Sequence, residues 1–213
     1  MNKKLLVTTI FMLLACIILV SISYFYIDKT VAEFFYQNRS FSKSESWLGY
    51  LIKYSLLIGY APPFIALFLL FKNNFRKFQD INEKKFLVIS LSATLAISIK
   101  DILKLVFGRY WPSHWVGNNP LWLNSQQYGF NFFHSGASYN SFPSGHTTAI
   151  FAIMTVVWLA YPKWRWLCIV SCIGMMASLV FLDYHFVSDI IAGMFLGIIV
   201  GQNTAYYFFQ KNN

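Results

Sequence analysis

The sequence predicts an all-α membrane protein, a polytopic bundle of six transmembrane helices with both termini cytoplasmic. Three observations carry that expectation. Apolar residues make up 57% of the 213-residue chain and charged residues only 12%, with a mean hydropathy of +0.50. Soluble domains carry about twice that charged fraction. Apolar runs approaching the roughly 20 residues that span a bilayer recur near 4–26, 49–71, 86–107, 144–160, 167–186 and 188–209. Finally, the cations alternate in density from one interhelical turn to the next.

That alternation sets the orientation. With a cytoplasmic N-terminus, Lys3, Lys4, Lys72, Arg76, Lys77, Lys84, Lys85, Lys163, Arg165 and Lys211 lie inside, and only Lys29, Arg39, Lys43 and Arg109 lie outside. The net charge of +9 is therefore a topology signal. Cations spread over separate turns do not form a nucleic-acid footprint, so no nucleic-acid partner is expected. The length fits a single domain over 1–213. The first apolar run follows Met-Asn-Lys-Lys as a signal peptide would. It is too long for a signal core and no small-x-small site follows, so it reads as an uncleaved anchor. Cys16, Cys168 and Cys172 fall inside spans without metal-type spacing and read as small core residues.

Three connections are polar: 27–48 outside, KNNFRKFQDINEKK at 72–85 inside, and YPKWRW at 161–166, whose rings and cations suit the headgroup level. The long external segment 108–143 is rich in Asn, Ser, Gly and aromatic residues, among them Trp111, Trp115, Trp122, Tyr128, Phe130 and Phe142. It reads as an interfacial lid, with His114 and His134 as lid residues. The plainer alternative is an aromatic belt without a chemical role.

Ionisable residues at membrane depth are costly and mark function by default. Here they are Lys53, Lys100, Asp101, Lys104, Asp183, His185 and Asp189, with His146 and Arg109 at span ends. Lys104, Arg109, His146, His185 and Asp189 all fall toward the external side. His146 follows Pro143-Ser144-Gly145, where a helix start offers backbone N–H groups to an anion. Lys104 and Arg109 suit phosphate oxygens. His185 and Asp189, four residues apart, would share a face of one helix, the aspartate holding one ring nitrogen and leaving the other as nucleophile or base. Lys53 and Lys100 read as structural partners, and Asp101 as a partner for Lys104 or a neighbouring helix. Two histidines with anion donors and no carboxylate or cysteine cluster indicate phosphoryl transfer without a metal or other cofactor.

The arrangement resembles the type 2 phosphatidic acid phosphatase family, a superfamily shared with vanadium haloperoxidases. Its motifs are Lys, six residues, Arg-Pro; Pro-Ser-Gly-His; and Ser-Arg, five residues, His, three residues, Asp. Here they read KLVFGRYWP (Lys104–Pro112), PSGH (Pro143–His146) and SLVFLDYHFVSD (Ser178–Asp189). Trp111 and Leu179 stand where the family has phosphate-binding arginines, each such contact worth about 1.5–3 kcal/mol. Arg109 is expected to take over one of these roles.

The resemblance implies that His185 attacks phosphorus and forms a phosphohistidine, that Asp189 orients it, and that His146 protonates the leaving oxygen. Lys104, Arg109, Ser144 and Gly145 would hold the phosphoryl group, and no metal is implied. The expected activity is hydrolysis of a membrane lipid phosphate or pyrophosphate at the external face, periplasmic in a bacterium. A lipid phosphotransferase, or a catalytically weak binding or transport protein on the same scaffold, are the alternatives.

Overall fold

A computed structural model describes residues 3–38, 47–73, 80–112, 128–134 and 136–210, and not the side chains of 47–49, 51–60 and 210. Arg39, Lys43, Arg76, Lys77, His114, Trp115, Trp122, Lys211 and the side chain of Lys53 lie outside the described residues, as does the middle of the expected lid. The helices are α1 (Lys3–Ile22), α2 (Asp28–Gln37), α3 (Trp47–Lys72), α4 (Ile81–Phe107), α5 (Gly145–Ala160), α6 (Arg165–Phe181) and α7 (Val187–Ala205). Among the described residues there are no strands, only isolated bridges at Arg109.

Among the described residues, four helical stretches are long and apolar enough to cross a membrane: Lys3–Gln37, Ile81–Phe107, Pro162–Phe181 and Val187–Phe209. The other two expected spans fall on α3, whose described apolar part is Ala61–Lys72, and on α5. Phe11, Ile17, Val170 and Ile173 point outward, the surface that lipid tails cover at little cost. The first span differs from expectation. Instead of ending near residue 26, α1 runs through a wide turn, Ser23–Ile27, into α2. Within that turn the buried Ser23 hydroxyl donates to Asp28 Oδ1 at 2.8 Å, and Asp28 is buried too.

Helix α7 sits at the centre, against α5, α4 and α1. Its approach to α5 is set by Gly193, Gly197 and Gly201, spaced one per turn on one face. A Cβ on Gly197 would lie 2.6 Å from the Thr148 carbonyl oxygen and 2.8 Å from the Ala152 nitrogen. Backbone cannot move aside as a side chain can. Around this contact Ala96, Ala152 and Val200 form one buried cluster and Val88, Val156 and Ala205 another. The Ser92 hydroxyl donates across from α4 to the Ala152 carbonyl at 3.1 Å. Gly197→Val is accordingly expected to destabilise the bundle by about 3 kcal/mol, the upper range for overpacking. Thermal unfolding in detergent checks this, with Gly174→Val as the silent control because a Cβ there meets nothing within 4 Å.

Candidate active site

Four chain segments meet where α4 ends and α5 and α7 begin. Helix α4 is stopped by Gly108, at φ +47°, where a Cβ would stand 2.1 Å from the Asn131 carbonyl oxygen. Only glycine fits that corner. Beyond it the Arg109 N–H donates to the Tyr139 carbonyl at 2.7 Å, and the Ser141 N–H donates to the Arg109 carbonyl at 3.0 Å. These clips hold Arg109 and Ser141 side by side. Phe107, Phe130 and Phe142 pack over them, with ring centroids 5.0–5.7 Å apart.

Helix α5 begins at Gly145, as the Pro-Ser-Gly-His stretch predicts, and Ser144 caps it. The Ser144 hydroxyl oxygen accepts from the Thr147 hydroxyl at 3.0 Å, and the Ser144 N–H donates to the Asp189 carbonyl at 3.0 Å. The Gly145 amide, in the first turn, has no intrahelical acceptor. A Cβ on Gly145 would lie 3.7 Å from Lys100 Nζ, which places that ammonium at the start of α5. Lys104 Nζ donates to the Asn140 carbonyl at 2.6 Å and lies 5.1 Å from the centre of the Trp111 ring. Asp101 pairs with Lys100 rather than Lys104. His146 follows Gly145 directly, half-buried, with Nε2 shielded from solvent.

The His185–Asp189 pair is present, but not on one helix. Helix α7 starts only at Val187, because Asp189 Oδ2 turns back to accept the Phe186 N–H at 3.1 Å and caps the first turn. His185 thus lies in the preceding turn, its Nδ1 3.5 Å from Asp189 Oδ2. The Ser141 hydroxyl donates to that same oxygen at 2.5 Å and lies 3.5 Å from His185 Nδ1. A 3.5 Å separation is a long contact, such as catalytic pairs show before substrate binds. His185 is 4% exposed, its ring packed 4.8 Å from that of Trp111. Burial lowers its pKa below the ordinary imidazole value more than Asp189 raises it, so the ring is neutral at pH 7.

Arg109 and Ser144 do not take their expected places as phosphate ligands. Arg109 is fully buried behind Asp189. Its Nη1 donates to Asp189 Oδ1 and Ser188 Oγ, both at 2.6 Å, and its Nη2 to Asp28 Oδ2 at 2.8 Å and the Tyr128 hydroxyl at 3.1 Å. The rings of Tyr24, Tyr128, Phe130 and Phe186 surround the guanidinium carbon at 4.2–5.3 Å. Its Nη1 and Nη2 are thus taken up within the fold, and no part of it reaches solvent. Ser144 is likewise fully buried, its N–H and hydroxyl both used within the fold. Leu179 packs into the core with Leu182 and Ile190, and Trp111 covers His185 with its Nε1–H donated to the Ala137 carbonyl at 2.7 Å.

Sequence reasoning missed Asp28, Ser141 and Ser188, and it assigned Lys100 only a structural role. Asp28 was legible in principle as an ionisable residue directly after an apolar run. The two serines carry no signal at all in a single sequence.

Residues 85–213 match the model of the PAP2 superfamily. The lipid A 1-phosphatase of Rhizobium etli is 30% identical over 99 residues, 46% of this chain and 40% of that protein. The lipid A 1-phosphatase of Rhizobium johnstonii is 31% identical over 126 residues, 58% of this chain and 46% of that protein. The undecaprenyl-diphosphatase of Sulfolobus acidocaldarius is 27% identical over 136 residues, 63% of this chain and 57% of that protein. The matched stretches thus span about half the length of these relatives. The crystal structure of a transmembrane PAP2-type phosphatidylglycerolphosphate phosphatase from Bacillus subtilis shares the fold, with a TM-score of 0.52 and 17% identity over 93% of this chain and 94% of that one. With the family model covering more than half of its length, this chain belongs to the PAP2 superfamily.

Proposed function

We propose that the protein is an integral membrane phosphatase that hydrolyses a lipid phosphate or pyrophosphate at the external membrane face through a phosphohistidine on His185. One observation carries the reading: a buried histidine faces a carboxylate through Nδ1, at the end of the bundle where Lys104, Lys100 and a helix start also lie. The names of the relatives, lipid A 1-phosphatase and undecaprenyl-diphosphatase, support a lipid phosphate as substrate.

In this mechanism a proton on Nδ1, facing Asp189, leaves the Nε2 lone pair to attack phosphorus. The bond from phosphorus to the lipid oxygen breaks, and that oxygen takes a proton from His146. Water then attacks the phosphohistidine, giving its proton to His146, and inorganic phosphate departs with His185 restored. Lys104, Lys100 and the Gly145 amide stabilise the charge on the phosphoryl oxygens. Asp189 favours the imidazole charge that develops as the new N–P bond forms. The charge bias of the interhelical turns supports an external position for this end of the bundle.

The test is phosphate release by purified protein from undecaprenyl pyrophosphate, phosphatidylglycerol phosphate, phosphatidic acid and lipid A. Turnover of at least one is expected, and inertness toward all four contradicts the proposal. Trp111 supplies a second check, because its ring closes His185 from solvent. Trp111→Ala is expected to raise kcat/KM for water-soluble p-nitrophenyl phosphate several-fold, as the nucleophile becomes reachable without a lipid to displace the indole.

A further inference from the structure

We propose that Asp28 is a positioning residue of this site, acting through Arg109 to set how firmly Asp189 holds His185. The inference rests on the phosphatase reading for its kinetic consequences only. Asp28 lies outside the family-matched region, which begins at residue 85, yet it is built into the site more thoroughly than any lysine. It is 1% exposed. Its carboxylate accepts from Ser23 Oγ at 2.8 Å, Arg109 Nη2 at 2.8 Å, the Ser188 N–H at 2.9 Å, the Tyr128 hydroxyl at 3.2 Å and the Ser188 hydroxyl. A carboxylate needed only to start α2 would cap its own helix. Apart from Ser23, Asp28 instead spends its oxygens on residues 81 to 160 positions further along the chain.

The charges explain what this does. One guanidinium stands between two buried carboxylates, Asp28 on Nη2 and Asp189 on Nη1. Whatever share of the cation Asp28 draws is withheld from Asp189, which stays a stronger acceptor toward the imidazole. Ser188 tightens the link, since its hydroxyl touches both Asp28 and Arg109. Neutralising Asp28 leaves Arg109 to Asp189 alone. It also removes a buried anion, and both changes make His185 bind a proton less readily. The ionisable groups on the segments that build the site around His185 include Lys100 and Lys104 from α4, Arg109 and Tyr110 after it, and Tyr128 from the following loop. His146 on α5, Asp183 and Tyr184 from the His185 turn, Asp189 on α7, Asp28 on α2, and Tyr24 and Tyr139 beside Arg109 and Tyr110 also belong to this set. Of these, Asp28 is the carboxylate that shares the Arg109 guanidinium with Asp189, beside the Tyr128 hydroxyl on the same Nη2.

The experiment follows the His185 ring by NMR in lipid nanodiscs, using histidine labelled with 13C at Cε1. The His185 signal is the one that His185→Ala removes. Asp28→Asn keeps the side-chain shape, and the His185 titration midpoint is expected to fall by about one pH unit. On the substrate that the wild type turns over, kcat should fall about tenfold with KM unchanged, roughly 1.4 kcal/mol of lost transition-state stabilisation. An unmoved midpoint, or an unchanged kcat, overturns the proposal. If Asp28→Asn yields no folded protein, Ser23→Ala takes its place. Losing that donor makes Asp28 draw harder on Arg109, so the midpoint should rise, and an unmoved midpoint overturns the proposal. A wild type that hydrolyses no lipid phosphate would count against the phosphatase reading, while the titration would still decide the role of Asp28.

Discussion

His185→Ala is expected to reduce phosphate release by at least about 10⁴-fold, the scale set when a covalent nucleophile is removed from an otherwise intact site. The fold should survive the change. His185 ties into its surroundings through contacts of 3.5 Å to Asp189 and Ser141 and through the Trp111 ring, and none of these closes a helix. Asp189 keeps its Phe186, Ser141 and Arg109 partners without it. Size-exclusion elution and thermal midpoint should therefore match wild type while activity disappears. A variant retaining activity within tenfold would mean that the attacking atom is elsewhere.

Arg109→Met is the second large effect, and it falls on the fold as much as on the chemistry. Removing the guanidinium leaves the Asp28 and Asp189 carboxylates buried together without a cation between them. Breaking a buried pair from one side costs about 3–5 kcal/mol, and here two anions are stranded at once. We expect a strongly lowered thermal midpoint and no phosphate release. Arg109→Lys should not rescue it, because a single ammonium cannot serve Nη1 and Nη2 partners on opposite sides while packing flat among four rings. Thermal unfolding of both variants in detergent checks the pair of expectations.

The sequence and the structure agree where one residue type fixes its surroundings. Helix α5 opens at Gly145 because Pro-Ser-Gly ahead of an apolar run marks a helix start. The apolar runs became helices because lipid leaves backbone groups no other partner. Lys104, His146, His185 and Asp189 gather at one end of the bundle because expensive groups at membrane depth need one another.

What stayed illegible was direction. Arg109 sits two residues from a motif arginine position, yet Gly108 turns the chain so that its guanidinium points behind Asp189. The i, i+4 spacing of His185 and Asp189 fitted a helix that in fact begins between them, because Asp189 caps it. Asp28 was hidden by distance, 160 residues before the Ser188 N–H that it accepts. The glycines at 193, 197 and 201 carry the α5–α7 contact through the absence of side chains, a signal easily passed over in a run of apolar residues.

Whether His185 carries the phosphoryl group between lipid and water is decided by trapping it there. Purified protein is mixed with a 32P-labelled lipid phosphate that it turns over, quenched in alkali within the first turnovers, and digested. An acid-labile, alkali-stable label is expected on the peptide containing His185 and absent from His185→Ala. Label on another residue, or no label during active turnover, would contradict that role.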